Sequence, residues 1–367
     1  MATGRTMWFG AGPARWPEKV LERAARELGP RAESGLSILE LSHRGAEYAA
    51  VQENTVALLS RLLSVPESHE VLLLPGGATM QFAMLPANLR PAGSSADYVV
   101  TGNWSKKAAL LARADGKVRV AATGEEDGFR EIPPTQSWDL DEGAAYLHVT
   151  TNNTICGTQL HEIPEGLTAP LVADASSDVL TRELPLDRIA VLYGGAQKCI
   201  GPAGLGFVVI RKDLMERAPE TLPSFWRYRD HSKASSRLNT PPTALIWLAG
   251  LMLEWIDREG GLREMMRRAD ERARLVYEAL DAHPAVFEPV AAPEARSRTN
   301  VAFRLRDRDR ERDLLELAAR DGMAGLSGHR SVGGLRASMY TGMTVEAAGR
   351  FAGLLHDFAE RSGRVGA

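Results

Sequence analysis

Cysteine is scarce in this chain of 367 residues: there are two, Cys156 and Cys199. Two cysteines build neither a disulfide framework nor a four-cysteine metal site. The eight histidines show no HExxH or similar ligand spacing, so no metal centre is expected. A large charge of one sign is also lacking. The net charge of −3 offers no general attraction for a polyanion, which disfavours a nucleic-acid partner. The densest charged run, "RDRDRERD" at 306–313, mixes signs and opens a helical pattern, as a solvated surface does. Long apolar runs are missing too. The longest, "ALIWLAGLMLEWI" at 244–256, is interrupted by Glu254 and falls short of the roughly 20 residues a bilayer span needs. It reads as a buried helix. The opening stretch "MATGRTMWFGAGPARWPEKV" has no apolar core of the secretory kind. These absences point to a reducing, cytoplasmic setting with no membrane partner.

What the chain does have is an alternation. Short apolar runs at 71–74, 97–101, 118–123, 145–150, 170–175 and 189–194 read as buried strands, and helical patterns such as 78–89 and 104–115 lie between several of them. Strands separated by helices imply an α/β fold, with a mostly parallel sheet covered on both faces. The run "GLGFVVI" at 204–210 follows its predecessor too closely for a helical crossover and should pair antiparallel. The expectation is seven strands, one of them reversed. Beyond Pro241-Pro242 some forty helical residues lead to strands at 300–305 and 333–340 and a terminal helix from about Thr344. That is a small α+β domain.

In open α/β sheets, ligands sit beyond the carboxyl ends of the strands. The residues there form a pattern. Lys198 lies in "YGGAQKCIGPAGLG", between glycine pairs and an apolar strand, where a strongly hydrated ammonium is out of place unless it does chemistry. Asp174 ends an apolar strand, either as a helix N-cap or as a carboxylate facing a cationic ring nitrogen. "PGGATMQF" places glycines and a hydroxyl at a helix start, a natural phosphate seat. Trp104 in "GNWSKKA" is placed to stack on a ring, and Thr154 in "TNNTICG" to bond a ring oxygen. A Schiff-base lysine, an aspartate for a pyridinium nitrogen, a stacking aromatic and a phosphate seat together meet the requirements of pyridoxal 5′-phosphate (PLP).

With those stretches in hand, the sequence resembles the phosphoserine aminotransferase family, class V PLP enzymes of fold type I. The resemblance runs through "FGAGPARWPEKVL", "ELSHRGAEY", "LLPGGATMQF", "GNWSKKA", "VADASSD", "YGGAQKCIGPAGLG", "NTPPT" and "GHRSVGGLRASMY". It implies an N-terminal segment (1–15) packing near the small domain, a large PLP-binding domain (16–257) and a small C-terminal domain (258–367). It implies that Lys198 carries the cofactor, with Gln197, Ala78 and Thr79 at its phosphate, Trp104 on its ring, Thr154 at its 3′-oxygen and Asp174 at its nitrogen. Asn239 and Thr240 would reach the cofactor phosphate of a neighbouring subunit, so a homodimer with shared sites is expected.

The implied reaction exchanges an amino group between L-glutamate/2-oxoglutarate and 3-phosphohydroxypyruvate/O-phospho-L-serine in serine biosynthesis. Some family members also handle phosphohydroxythreonine in vitamin B6 synthesis. One pocket must then take a phosphate and a γ-carboxylate in turn, a task for arginine's planar fork. Two His-Arg pairs, His43-Arg44 and His329-Arg330, are the candidates, and Arg336 matches the family's α-carboxylate clamp. The chain departs from the family at Ala46, often basic in others, at Thr79, where others carry arginine, and at Cys156, where many carry aspartate. Two alternatives stand beside this one. One is another class V activity, such as alanine–glyoxylate transamination or cysteine desulfuration. The other is a non-catalytic or nucleotide-binding protein, against which "GPAGLG" lacks the G-x-G-x-x-G order and precedes a strand.

Overall fold

The computed structural model describes residues 5–365, with the side chains of 362–365 left aside; residues 1–4 and 366–367 of the expected terminal segments lie outside them. Its main feature is a seven-stranded sheet in the spatial order His69–Pro75, Leu205–Arg211, Ile189–Gly195, Leu171–Asp174, Leu147–Thr150, Ser95–Val100, Lys117–Thr123. Leu205–Arg211 runs antiparallel to both neighbours and the remaining pairs are parallel. This is the sheet expected from the sequence. The near-continuous apolar runs arise because both faces are buried. Successive residues feed opposite cores: Val71, Leu73, Phe207 and Val209 enter one, while Leu72, Leu74, Val208 and Ile210 enter the other.

The first core is closed by the helices Ala46–Leu62 and Thr243–Arg258; the latter holds the longest apolar run, with Ile246, Leu251, Leu253 and Ile256 buried. Helix Gly261–Asp281 changes core along its length, packing Met265 there and Val276 and Leu280 in a third core. That third core is bounded by a three-stranded antiparallel sheet, Phe287–Pro289, Asn300–Leu305 and Leu335–Ser338, and by the terminal helix Val345–Val365.

Two details differ from the sequence reading. The strand expected at 333–340 begins only at Leu335, because Gly333 and Gly334 adopt positive φ (+73° and +67°) and belong to a turn. Phe287–Pro289 was not anticipated, since three residues with a glutamate and a proline carry no alternation. Met7–Trp8 pairs in parallel with Met323–Ala324, joining the amino end of the chain to the small sheet's side of the molecule. The run 306–313 forms a short turn and the start of helix Glu311–Arg320, held by surface ion pairs such as Arg308–Glu311.

Candidate active site

The carboxyl ends of the parallel strands open on a cleft of about 430 Å³. Asp174 closes its floor as the last residue of Leu171–Asp174. Its Oδ1 accepts hydrogen bonds from the backbone N–H (3.0 Å) and hydroxyl (2.6 Å) of Ser176, whose Oγ in turn accepts from the N–H of Gly195 (3.1 Å). One oxygen of the carboxylate therefore caps a turn; no helix follows, so the helix N-cap that one sequence reading offered is not what forms. Oδ2 has no hydrogen bond among the described residues. Burial pushes the carboxyl above its usual range, opposed by the Ser176 bonds and by the Lys198 ammonium. A further cation settling beside it would favour the carboxylate form.

Lys198 lines the same cleft, three residues beyond the strand Ile189–Gly195. Burial lowers its amine, with Asp174 the main charge acting in the other direction. Its Nζ stands 5.8 Å from the centroid of the Trp104 ring. That ring, near the start of helix Asn103–Ala112, is fixed by Nε1 donating to Thr154 Oγ1 at 3.2 Å. Thr154 is tied to a third segment as well: its carbonyl accepts from Nη1 of the buried Arg336 at 2.9 Å. The Nε of Arg336 is buried without a partner.

A helix start forms another wall. Gly76 sits at φ +88° and Gly77 at φ +60°, turning the chain from His69–Pro75 into helix Gly77–Leu89 without a side-chain cap. Ala78 and Thr79 face the cleft, where uncapped N–H groups and the positive helix end favour an anion. The close fit depends on glycine: a Cβ on Gly206 of the adjacent strand would come within 3.3 Å of the Gly77 backbone. Gln197 lines the cleft too, and its carbonyl accepts from the N–H of Ala14 (2.8 Å), so the amino-terminal segment forms part of the rim.

The structure thus brings together Ala78, Thr79, Trp104, Thr154, Asp174, Gln197, Lys198, His329 and Arg336. His329 is oriented by Ser331, whose Oγ and N–H lie 2.7 and 3.2 Å from its Nδ1. His43, Arg44, Asn239, Thr240 and Arg330 are not among the residues lining this chain's cleft, and all but the half-buried His43 are exposed. Sequence reasoning passed over Ser176, Thr150 and Asn152, which also line it. "VADASSD" and "TNNTICG" contain them, but nothing in a serine's or an asparagine's neighbours along the chain says which group it will bond.

The donor set suits PLP. Thr150 Oγ1, opposite Asp174 in the strand register, is buried at the cleft wall without a partner, as is Arg336 Nε. Beside these unsatisfied groups stand an unbonded carboxylate oxygen, a flat indole face, an uncapped helix start and an amine of lowered basicity. A phosphorylated cationic ring with an aldehyde matches the carboxylate, the indole face, the helix start and the amine.

Comparison with known proteins agrees. Residues 6–351 match the family model described as aminotransferase class-V. A phosphoserine aminotransferase of Laribacter hongkongensis is 43% identical over 97% of this chain and 99% of its own length. The solved phosphoserine aminotransferase of Bacillus circulans subsp. alkalophilus superposes with a TM-score of 0.95 at 39% identity, covering 98% of this chain and 99% of that one. The PLP-bound phosphoserine aminotransferase of Trichomonas vaginalis gives 0.90 at 35% identity, over 96% and 99%. Matched along nearly its whole length in both sequence and backbone, the chain belongs to the class-V aminotransferase family, with phosphoserine aminotransferases as close relatives.

Proposed function

We propose that the cleft is the active site of a PLP-dependent phosphoserine transaminase, exchanging the amino group between L-glutamate/2-oxoglutarate and 3-phosphohydroxypyruvate/O-phospho-L-serine. The observation that carries the chemistry is the convergence of Lys198, Asp174 and Arg336, from three distant segments, on one cleft. The substrate class rests on the kinship with phosphoserine aminotransferases at about 40% identity over full length.

When bound, PLP supplies an electron sink for negative charge at the amino acid's α-carbon. Lys198 would hold it covalently, Asp174 would keep its ring nitrogen charged, Trp104 would cover its ring, Thr154 would meet its 3′-oxygen, and Ala78, Thr79 and Gln197 would meet its phosphate. The chain's own contribution is then positional and acid–base. Lys198 Nζ takes up and returns the α-proton, a role that the lowering of its basicity by burial favours. Arg336 orients the substrate by its α-carboxylate. His329, beside it at the cleft, and Arg330, on the same loop, receive the distal phosphate or γ-carboxylate together with His43 and Arg44.

Those last residues support a dimer. Asn239, Thr240 and Arg44 are exposed, polar and outside their own chain's cleft, as residues that complete a partner's site would be. A cytoplasmic homodimer with shared sites, organised as domains 16–257 and 258–367 with 1–15 packed near the small domain, is part of this proposal. Among the described residues no helix is long and apolar enough to cross a membrane. Desulfuration is disfavoured: burial pushes the Cys199 thiol up to about 12 and the Cys156 thiol up to about 11, and neither residue lines the cleft. The test is a steady-state assay with glutamate and 3-phosphohydroxypyruvate, set against pyruvate and glyoxylate as acceptors. The proposal expects ping-pong kinetics and preference for the phosphorylated acceptor. Equal use of all three acceptors would refute it.

A further inference from the structure

Behind the cleft lies a cluster of uncharged polar side chains to which none of the roles above applies. Asn152, at the cleft wall, is 2% exposed, and its partners Ser297, Thr299 and Asn300 are fully buried. Asn152 Nδ2 lies within donor reach of Ser177 Oγ (2.8 Å), Asn300 Oδ1 (2.9 Å) and Thr299 Oγ1 (3.1 Å), and its Oδ1 accepts from Ser297 Oγ (2.5 Å). Asn300 passes the connection on: its Nδ2 donates to Ser338 Oγ (2.9 Å) and Tyr340 OH (3.1 Å), and the Tyr340 hydroxyl donates to the carbonyl of Ala11 (2.9 Å). Burying so many polar groups is costly unless each is bonded, and a bonded network of this kind holds its members to one arrangement.

Its placement is informative. Ser177 follows Asp174 by three residues, so one end of the network belongs to the cofactor floor. The other end is the strand Leu335–Ser338, which carries Arg336. In that sheet Asn300 faces Ser338, two residues along from the pair Ala302 and Arg336. Arg336 itself has few restraints, a single bond from Nη1 to the Thr154 carbonyl and an unpartnered Nε. The side chain alone does not hold its guanidinium in place. The strand beneath it does, and that strand is fastened to the floor through Asn300 and Asn152.

We propose that the Asn152–Asn300 amide pair is a positioning device that sets the location of Arg336 relative to Asp174 and Lys198. Neither asparagine is a catalytic residue in this scheme. Each acts through Arg336, so the inference rests on the reading of Arg336 as the α-carboxylate clamp. Because every amino-acid substrate has an α-carboxylate, loosening the pair weakens all of them equally and leaves the choice between distal anions untouched.

The test uses the PLP-loaded enzyme in its Asn300→Ala, Asn152→Ala, doubly substituted, Tyr340→Phe and Arg336→Lys forms. Saturation curves are measured with glutamate and with phosphoserine, alongside the cofactor's absorbance and the melting temperature. Expected in the asparagine variants is a rise in KM of about tenfold for both substrates, with kcat changed less and the cofactor spectrum retained. The double variant should lose no more than the worse single one, because the two side chains act as a unit. Tyr340→Phe, which keeps the shape and removes the hydroxyl's bonds to Asn300 and Ala11, should show the same pattern at about threefold, and it carries the test if Asn300→Ala does not fold. Unchanged KM in folded variants, additive losses in the double variant, or a shift in the phosphoserine-to-glutamate ratio would overturn the proposal. The Arg336→Lys form separates the two levels. If it leaves KM unmoved, the reading of Arg336 fails; if it raises KM while Asn300→Ala and Tyr340→Phe do not, the positioning device fails.

Discussion

At the scale of single residues, the account turns on two ionisable groups pushed in opposite directions by one cause. Burial lowers the Lys198 amine and raises the Asp174 carboxyl. Each is thereby biased toward its neutral form until the cofactor's charges arrive. Lys198→Ala should still bind PLP through its other contacts but lose turnover by about 10³-fold or more, the range for removing an acid–base group. Absorbance and a glutamate assay on the same sample check both parts. Asp174→Asn keeps the shape and removes the charge, so it should cost on the order of 100-fold in kcat with the melting temperature little changed. The arginines should divide by substrate. Arg330→Ala should lower kcat/KM for phosphoserine about 30-fold, for glutamate less and for alanine least, whereas Arg336→Ala should lower all three by similar factors. Lys198 and Asp174 were legible in the sequence because a lysine among glycines and an acid ending an apolar strand are both chemically out of place. Ser176 and Asn152 were not. Besides its neighbour Asp174, Ser176 bonds Gly195, 19 residues away, and Asn152 bonds Ser297 and Asn300, about 145 residues away, while polar side chains of this kind occur throughout any chain.

At the scale of elements, the sheet was readable since it is buried on both faces, which turns each strand into an apolar run. The exceptions to that run are informative. His148 interrupts Leu147–Thr150, is 1% exposed, stacks on Tyr98 (ring centroids 4.8 Å apart) and shares a hydrogen bond of 2.8 Å with Tyr193. Burial pushes its imidazole down to about 3, against an ordinary value of 6.5. The sign follows from linkage. Between those two values the unfolded chain binds a proton that the folded one does not, so stability is full above about pH 6.5 and falls as the pH drops toward 3. Each pH unit below the upper limit costs about 1.4 kcal/mol from this group alone. Denaturant midpoints at pH 7, 6 and 5 should therefore decline in the parent, and His148→Asn should flatten that decline while being less stable at pH 7. Parallel declines in the two proteins would remove His148 from the explanation. The short elements were not readable, for an equally physical reason. Met7–Trp8 and Met323–Ala324 are two residues each, too short for any periodicity, and the pairing exists only because the tertiary fold brings them together.

At the scale of the whole molecule, one chain supplies a cofactor cleft that is nearly complete and a substrate pocket that is not. His329 and Arg336 line the cleft, while Arg44, proposed for the distal anion, and Asn239 and Thr240, proposed for a neighbouring cofactor's phosphate, lie on the exposed surface. Two chains related by symmetry would resolve this, with each pocket finished by the other's exposed residues. Mixing Lys198→Ala chains with chains carrying Asn239→Ala and Thr240→Ala should restore activity, since a mixed dimer contains one site with both intact sets. No recovery under demonstrated subunit exchange would contradict shared sites. The central claim, however, is that this molecule transaminates amino acids bearing a distal anion, and it is tested most directly by one half-reaction. The PLP-loaded enzyme is mixed in turn with glutamate, phosphoserine and alanine, with no acceptor present, and the loss of the cofactor's visible absorbance is timed. Phosphoserine and glutamate should each discharge the absorbance completely, with phosphoserine at least as efficient as glutamate, and alanine should be slower by about 100-fold or more. Discharge by alanine as fast as by phosphoserine would contradict the account.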